Sequence, residues 1–109
     1  MSSFLRVHFD RELAGLREAV MLMGSLARQA VAAGLRAFME NDLDVAGDVI
    51  AGDRAINELR YHIEQRCYAL LAREQPVAGD MRAIVTALIV VTEMERIADH
   101  GKKIARICQ

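Results

Sequence analysis

The chain has 109 residues, a net charge of −1, 53% apolar and 27% charged side chains. That is the make-up of one globular domain, long enough to bury roughly two thirds of its unfolded surface. Balanced, interspersed charge argues against a nucleic-acid partner and against a polybasic membrane face. Its longest uncharged apolar run, Ala83 to Val91, falls far short of the ~18 residues of a membrane-inserted helix.

The opening Met1-Ser2-Ser3-Phe4-Leu5-Arg6 stretch has no signal-peptide apolar core, and Cys67 and Cys108 have no metal-type spacing. Both points favour a cytoplasmic chain with reduced thiols that act as small apolar fillers. One proline and no strand-like alternation predict an all-α fold. The spacing predicts helices over residues 4–39, 43–73 and 78–108, joined as a single antiparallel three-helix bundle over 1–109. The first carries a stripe of Phe9, Leu13, Leu16, Val20, Met23, Ala27, Val31, Gly34 and Phe38, with steps of three and four. Gly24 and Gly34 are poor helix formers there and mark close packing of a neighbour. Glu40-Asn41-Asp42-Leu43 is a polar joint, with Asp42 as N-cap of the second helix. That helix presents Val45, Val49, Ile56, Leu59, Ile63, Cys67 and Leu70 on one face. Gln75-Pro76 makes the next break, because the residue before proline leaves the helical region. Asp80 then places negative charge where the third helix's dipole favours it. From Met81 to Met94 this helix is apolar nearly all round, so it calls for cover beyond its two neighbours. A second copy of the chain or a second domain would supply it. No internal repeat is evident, and the chain stops in mid-pattern at Gln109 without a glycine or proline stop signal. A piece of a longer protein or a short natural form would both read this way.

The chemistry concentrates at Glu95 and Asp99. Four residues of helix advance about 400°, so these carboxylates lie ~40° apart and continue the buried stripe of Leu88 and Thr92. Like charges at that spacing repel, and repulsion grows in apolar surroundings. Asp53 and Asn57 flank the apolar face of the antiparallel second helix. Asp53 stands about 23 residues before the Gln75-Pro76 break, and Glu95 and Asp99 about 19 and 23 after it, which puts all four near one level. Two accounts fit. An all-oxygen cluster suits a hard or borderline cation such as Mg²⁺, Ca²⁺, Mn²⁺ or iron, though none is required. An ion-pair ladder, with Asp99 on Lys103 and with Lys102 and Arg106 on much the same face, uses the same residues.

Other polar residues read more simply. Glu58 and His62 form an i,i+4 pair on the solvent side of the second helix, and His100 is an exposed histidine. Arg82 and Arg96 suit structural ion pairs with Asp80 or Glu93. Met21, Met23, Met39, Met81 and Met94 read as core fillers. No nucleophile–base arrangement and no glycine-rich phosphate cradle is present. A metal-dependent enzyme or metal store built on the carboxylates is the alternative to a binding protein, and a plain helical dimerisation module is a third reading.

Taken together, Gln75-Pro76-Val77-Ala78-Gly79-Asp80-Met81-Arg82 and Glu95-Arg96-Ile97-Ala98-Asp99-His100 resemble the PhoU family. Gly52-Asp53-Arg54-Ala55-Ile56-Asn57-Glu58-Leu59 and His8-Phe9-Asp10-Arg11-Glu12-Leu13 fit as well. The resemblance implies a cytoplasmic three-helix-bundle regulator rather than an enzyme. It implies contact with the ATPase of a phosphate ABC transporter and with a sensor histidine kinase, restraining phosphate uptake and phosphate-starvation signalling. It also implies metal-holding Glu/Asp-x-x-x-Asp motifs, which Glu95-x-x-x-Asp99 matches. Asp53-x-x-x-Asn57 matches only at its first position; the amide keeps a carbonyl oxygen but loses a charge. Members of the family usually carry two such three-helix repeats and this chain carries one, so a homodimer or higher oligomer is expected.

Overall fold

Three helices run through the chain in the computed structural model, which describes residues 3–73 and 78–109: α1 (Ser3–Glu40), α2 (Leu43–Arg73) and α3 (Ala78–Cys108). The predicted ends of α1 move outward by one residue each, and those of α2 and α3 stand. The Gln75-Pro76 break falls outside the described residues. At ~1.5 Å per residue, the 38 residues of α1 account for the 58 Å long axis of the molecule.

The α1–α2 joint is built by its own side chains. Asn41 takes a left-handed φ of 53°, which asparagine tolerates better than most residues. The Asp42 amide then donates to the Ala37 carbonyl at 2.9 Å and closes the end of α1 as a Schellman turn does. The Asp42 carboxylate accepts from the amides of Asp44 and Val45, both at 3.1 Å, and so caps α2. Asp42→Ala is expected to cost about 1 kcal/mol in urea denaturation, with little change in helix content of the folded state. A loss below a few tenths would mean that water replaces the cap.

Two cross-helix contacts fix direction. Arg6 donates to both Asp80 carboxylate oxygens, at 2.6 and 3.1 Å, tying the start of α1 to the start of α3. This fork raises the Arg6 pKa further above its ordinary value. Late in both helices, Gly34 and Gly101 face each other. A Cβ on Gly101 would lie 2.6 Å from the Ala30 carbonyl carbon, and one on Gly34 would lie 2.8 Å from the Gly101 oxygen. α1 and α3 are therefore parallel, and α2 runs against both.

The core changes character along its length. At one end, Phe9, Leu13, Leu16, Met23, Ile63, Cys67, Leu70, Ile84 and Val91 fill the space between the helices. At the other, Ala37, Ala46 and Ala105 form a thin seam. Small side chains there let the backbones come close. The predicted stripe on α1 holds through Gly34, but Phe38 is 60% exposed and Ala37 is buried in its place. The reason is the seam's period. Eight steps of about 3.5 residues from Phe9 end on Ala37, whereas consecutive steps of four through Met23, Ala27 and Val31 overshoot to Phe38. Cys67 is fully buried, and burial pushes its thiol pKa up, as suits an inert filler. Helix α3 keeps an open apolar flank: Val85 and Ile89 face outward, the latter 59% exposed. No described helix is long and apolar enough to cross a membrane.

Candidate functional site

The residues singled out from the sequence stand on the facing flanks of α2 and α3. On α2, Asp53, Asn57, Arg60 and Glu64 follow one another at steps of four, three and four. On α3, Glu95, Asp99, Lys102 and Arg106 repeat the same steps. That spacing keeps each set on one side of its helix.

Asp53 is the one buried charged residue among those described, at 8% exposure. Its Oδ2 accepts two hydrogen bonds at 3.0 Å, from Lys102 Nζ across the helix interface and from Asn57 Nδ2 one turn along. The cation beside Asp53 is thus Lys102, and the amide of Asn57 is a second donor to it. An aspartate at position 57 would remove that donor and set a second negative charge beside the first. The departure from a paired-carboxylate motif therefore has a physical role: it leaves the Asp53–Lys102 contact neutral and satisfied.

That contact also sets the register. With Asp53 opposite Lys102 in an antiparallel pair, Asp99 lies about 4.5 Å and Glu95 about 10 Å further along α3, level with Ile56 and Arg60 respectively. Asp99 is half-buried and pairs with Lys103 at 3.1 Å. Arg60 donates to Glu64 at 2.9 Å, and its Nε is buried without a hydrogen-bond partner among the described residues. The structure therefore joins Asp53 with Asn57 and gives each helix its own ladder: Asp53–Lys102 between helices, Asp99–Lys103 and Arg60–Glu64 within them. Arg60 was missed in the sequence although its position seven residues after Asp53 puts it on the same flank. The signs along the facing flanks are complementary, acid level with base at Asp53/Lys102 and base level with acid at Arg60/Glu95.

An open groove of about 540 Å³ lies over this flank, with Asp53, Asn57 and Lys102 in its lining and Glu58, His62 and Arg106 around them. Glu95 and Asp99 do not line it. Glu58 pairs with Arg54 at 3.2 Å and His62 lies edge-on to Tyr61, as surface side chains do. Arg96 pairs with Glu93 at 3.3 Å as expected, whereas Asp80 is taken by Arg6. The groove offers both signs of charge and suits a polar protein contact.

Does the donor set fit a metal ion? Among the described residues, no three His, Cys, Asp or Glu side chains stand together in a way that would hold one. Asp53 Oδ2 already accepts from an ammonium and an amide. As placed, the four residues do not form a coordination sphere. Protein purified without chelator and its Glu95→Gln/Asp99→Asn variant are expected to carry equal metal, measured by plasma mass spectrometry. Metal present in the parent and lost in the variant would make these carboxylates ligands.

A family model described as the PhoU domain matches residues 20–108, which takes in both flanks. The phosphate-specific transport system accessory protein PhoU of Escherichia coli (strain K12) is 35% identical over 98 residues, covering 90% of this chain and 41% of that protein. A homologue from Pseudomonas putida is 37% identical over 98 residues, covering 90% and 38%. One from Aquifex aeolicus (strain VF5) is 35% identical over 95 residues, covering 87% and 43%. The chain thus spans about two fifths of the length of the relatives it matches.

Proposed function

The chain belongs to the PhoU family, and on that premise we propose that it is a cytoplasmic accessory regulator of phosphate uptake and phosphate-starvation signalling. The observation that carries this reading is the family match itself, which runs through all three helices. The relatives in Escherichia coli and Pseudomonas putida are named for a phosphate-specific transport system. The regulator works by protein contact, on the ATPase of the transporter and on the sensor kinase, and has no chemistry of its own. The mixed-charge groove over Asp53 and Lys102 is its contact surface, so the complexes weaken as salt rises. A metal-dependent enzyme or metal store is the less favoured reading, since Lys102 already donates to the Asp53 carboxylate.

Deleting the gene is expected to switch on a phosphate-starvation reporter several-fold in phosphate-rich medium, and the tagged protein is expected to co-purify with the transporter ATPase. A reporter that stays silent in the deletion strain, together with no ATPase in the purified complex, would overturn the proposal.

A further inference from the structure

A second pocket, of about 200 Å³, lies between the early turns of α1 and the last turns of α2. His8 and Glu12 of α1 line it, with Arg66, Ala69, Leu70 and Arg73 of α2. Arg66 and Arg73 stand seven residues apart, about 10 Å along one side of α2, so both heads can reach the space over Ala69 between them. Among the described residues, neither guanidinium makes an ion pair or a side-chain hydrogen bond. Glu12 is half-buried in the same lining and pairs with neither of them. Gly15, one turn beyond Glu12, gives Arg66 its place. A Cβ there would lie 2.7 Å from Arg66 Nη2, so the missing side chain is what lets the guanidinium rest on α1. His8, seven residues before Gly15, then stands level with Arg73 in the antiparallel pair.

We infer that this pocket binds a small oxyanion that carries a proton, inorganic hydrogenphosphate, between the two arginines. Three features support it. The first is the donor set. Each guanidinium is a planar fork that fits two oxygens of a tetrahedral anion, and two forks from one helix side supply four N–H groups to one point. Arg66 is half-buried without an acceptor, which forgoes hydrogen bonds it would make in water; an anion between the heads restores them. The second is size. The volume of about 200 Å³ holds five heavy atoms and a few waters of ~30 Å³ each. It lies below the ~300 Å³ at which pockets for larger organic ligands begin. The third is Glu12, whose carboxylate repels a bare anion but accepts a hydrogen bond from one that has a proton to give. At neutral pH hydrogenphosphate keeps one P–O–H for Glu12 and sulfate has none. A phosphomonoester, with a second pKa of about 6, has mostly lost its proton. The pocket therefore selects free phosphate over both. Its few atoms hold the dissociation constant to about 10–500 µM. The inference goes beyond the regulatory reading and does not rest on it, because these residues lie outside the Asp53 groove and their chemistry alone selects the anion.

Isothermal titration calorimetry at pH 7, in buffer free of phosphate and sulfate, tests it with sodium phosphate, sodium sulfate and phenyl phosphate as titrants. Phosphate is expected to bind at one site per chain, and sulfate and phenyl phosphate at least 10-fold more weakly. Arg66→Gln and Arg73→Gln are each expected to weaken phosphate at least 10-fold, with the parent's circular dichroism. Glu12→Gln, whose amide can donate to a bare anion, is expected to bring phosphate and sulfate within about threefold of each other. Gly15→Ala keeps both arginines and displaces the Arg66 head. It is expected to lose at least fivefold in affinity while its urea midpoint stays at or above the parent's, since alanine favours a helix. A parent chain that shows neither heat nor amide shifts at residues 66–73 with 5 mM phosphate overturns the proposal. So does a parent that binds sulfate equally well, and so do folded arginine variants or a Gly15→Ala chain that bind phosphate as the parent does.

Discussion

Gly101→Ala is expected to destabilise the bundle by about 2–3 kcal/mol, the upper part of the usual range for forcing atoms into a packed interior. The new Cβ would stand 2.6 Å from the Ala30 carbonyl carbon, 2.7 Å from its oxygen and 2.8 Å from the Val31 nitrogen. These are backbone atoms of a hydrogen-bonded helix, so no rotamer change relieves the clash. α1 and α3 must part instead, and the thin seam around Ala37 and Ala105 loses its contacts. Alanine's better helix propensity returns up to about 1 kcal/mol, already included in that figure. Gly52→Ala is the matched control. Nothing lies within 4 Å of a Cβ at that position, so the same substitution is expected to stabilise by about 0.5–1 kcal/mol. Urea denaturation of the two variants should give opposite signs. Equal signs would mean that the helices are not in backbone contact at Gly101.

Lys102→Met is expected to cost about 2–3 kcal/mol. The loss is mostly the penalty of leaving the Asp53 carboxylate buried with only the Asn57 amide as donor, not the net worth of the pair. It falls below the 3–5 kcal/mol of fully enclosed pairs because the side chains are 22% and 10% exposed and water reaches them through the groove. Asp53→Asn should cost less, since Lys102 can extend into the groove and regain water. The double variant should therefore be more stable than the sum of the single losses predicts, with a coupling above about 1 kcal/mol. A coupling near zero would place this contact with ordinary surface ion pairs such as Arg54–Glu58.

Much of the fold could be read from residue types alone, because helix limits are local. Asp42 caps through its own carboxylate, Asn41 reaches a left-handed φ with little cost, and the three-and-four spacing of Phe9, Leu13 and Leu16 declares a buried face wherever it occurs. The same local logic found the facing carboxylates and the lysines able to pair with them. It failed at distances set by assembly. Counting from the Gln75-Pro76 break put Asp53 level with Glu95 and Asp99, but the interface sets Asp53 against Lys102. A count along the chain carries the unknown geometry of the joint, and a turn of helix is only ~5.4 Å.

Gly101 shows the same division. Sequence marked Gly24 and Gly34 as places of close approach, and both are: a Cβ on Gly24 would lie 2.9 Å from Met94 Cε of α3, and one on Gly34 2.8 Å from the Gly101 oxygen. It could not tell that Gly101 is the residue opposite, since a glycine inside a helix reads alike whether a backbone or open water lies beside it; Gly52 and Gly101 differ only in their neighbours. By itself, then, the sequence determined the three helices, the joint between the first two, their apolar faces and the family resemblance, because backbone propensity, capping and periodicity act within a few residues. Tertiary structure alone decided which charge meets which, that Ala37 and not Phe38 enters the core, and which apolar seam stays open. Those outcomes depend on how rigid helices settle against one another, and a shift of one turn changes every partner while leaving each helix as it was.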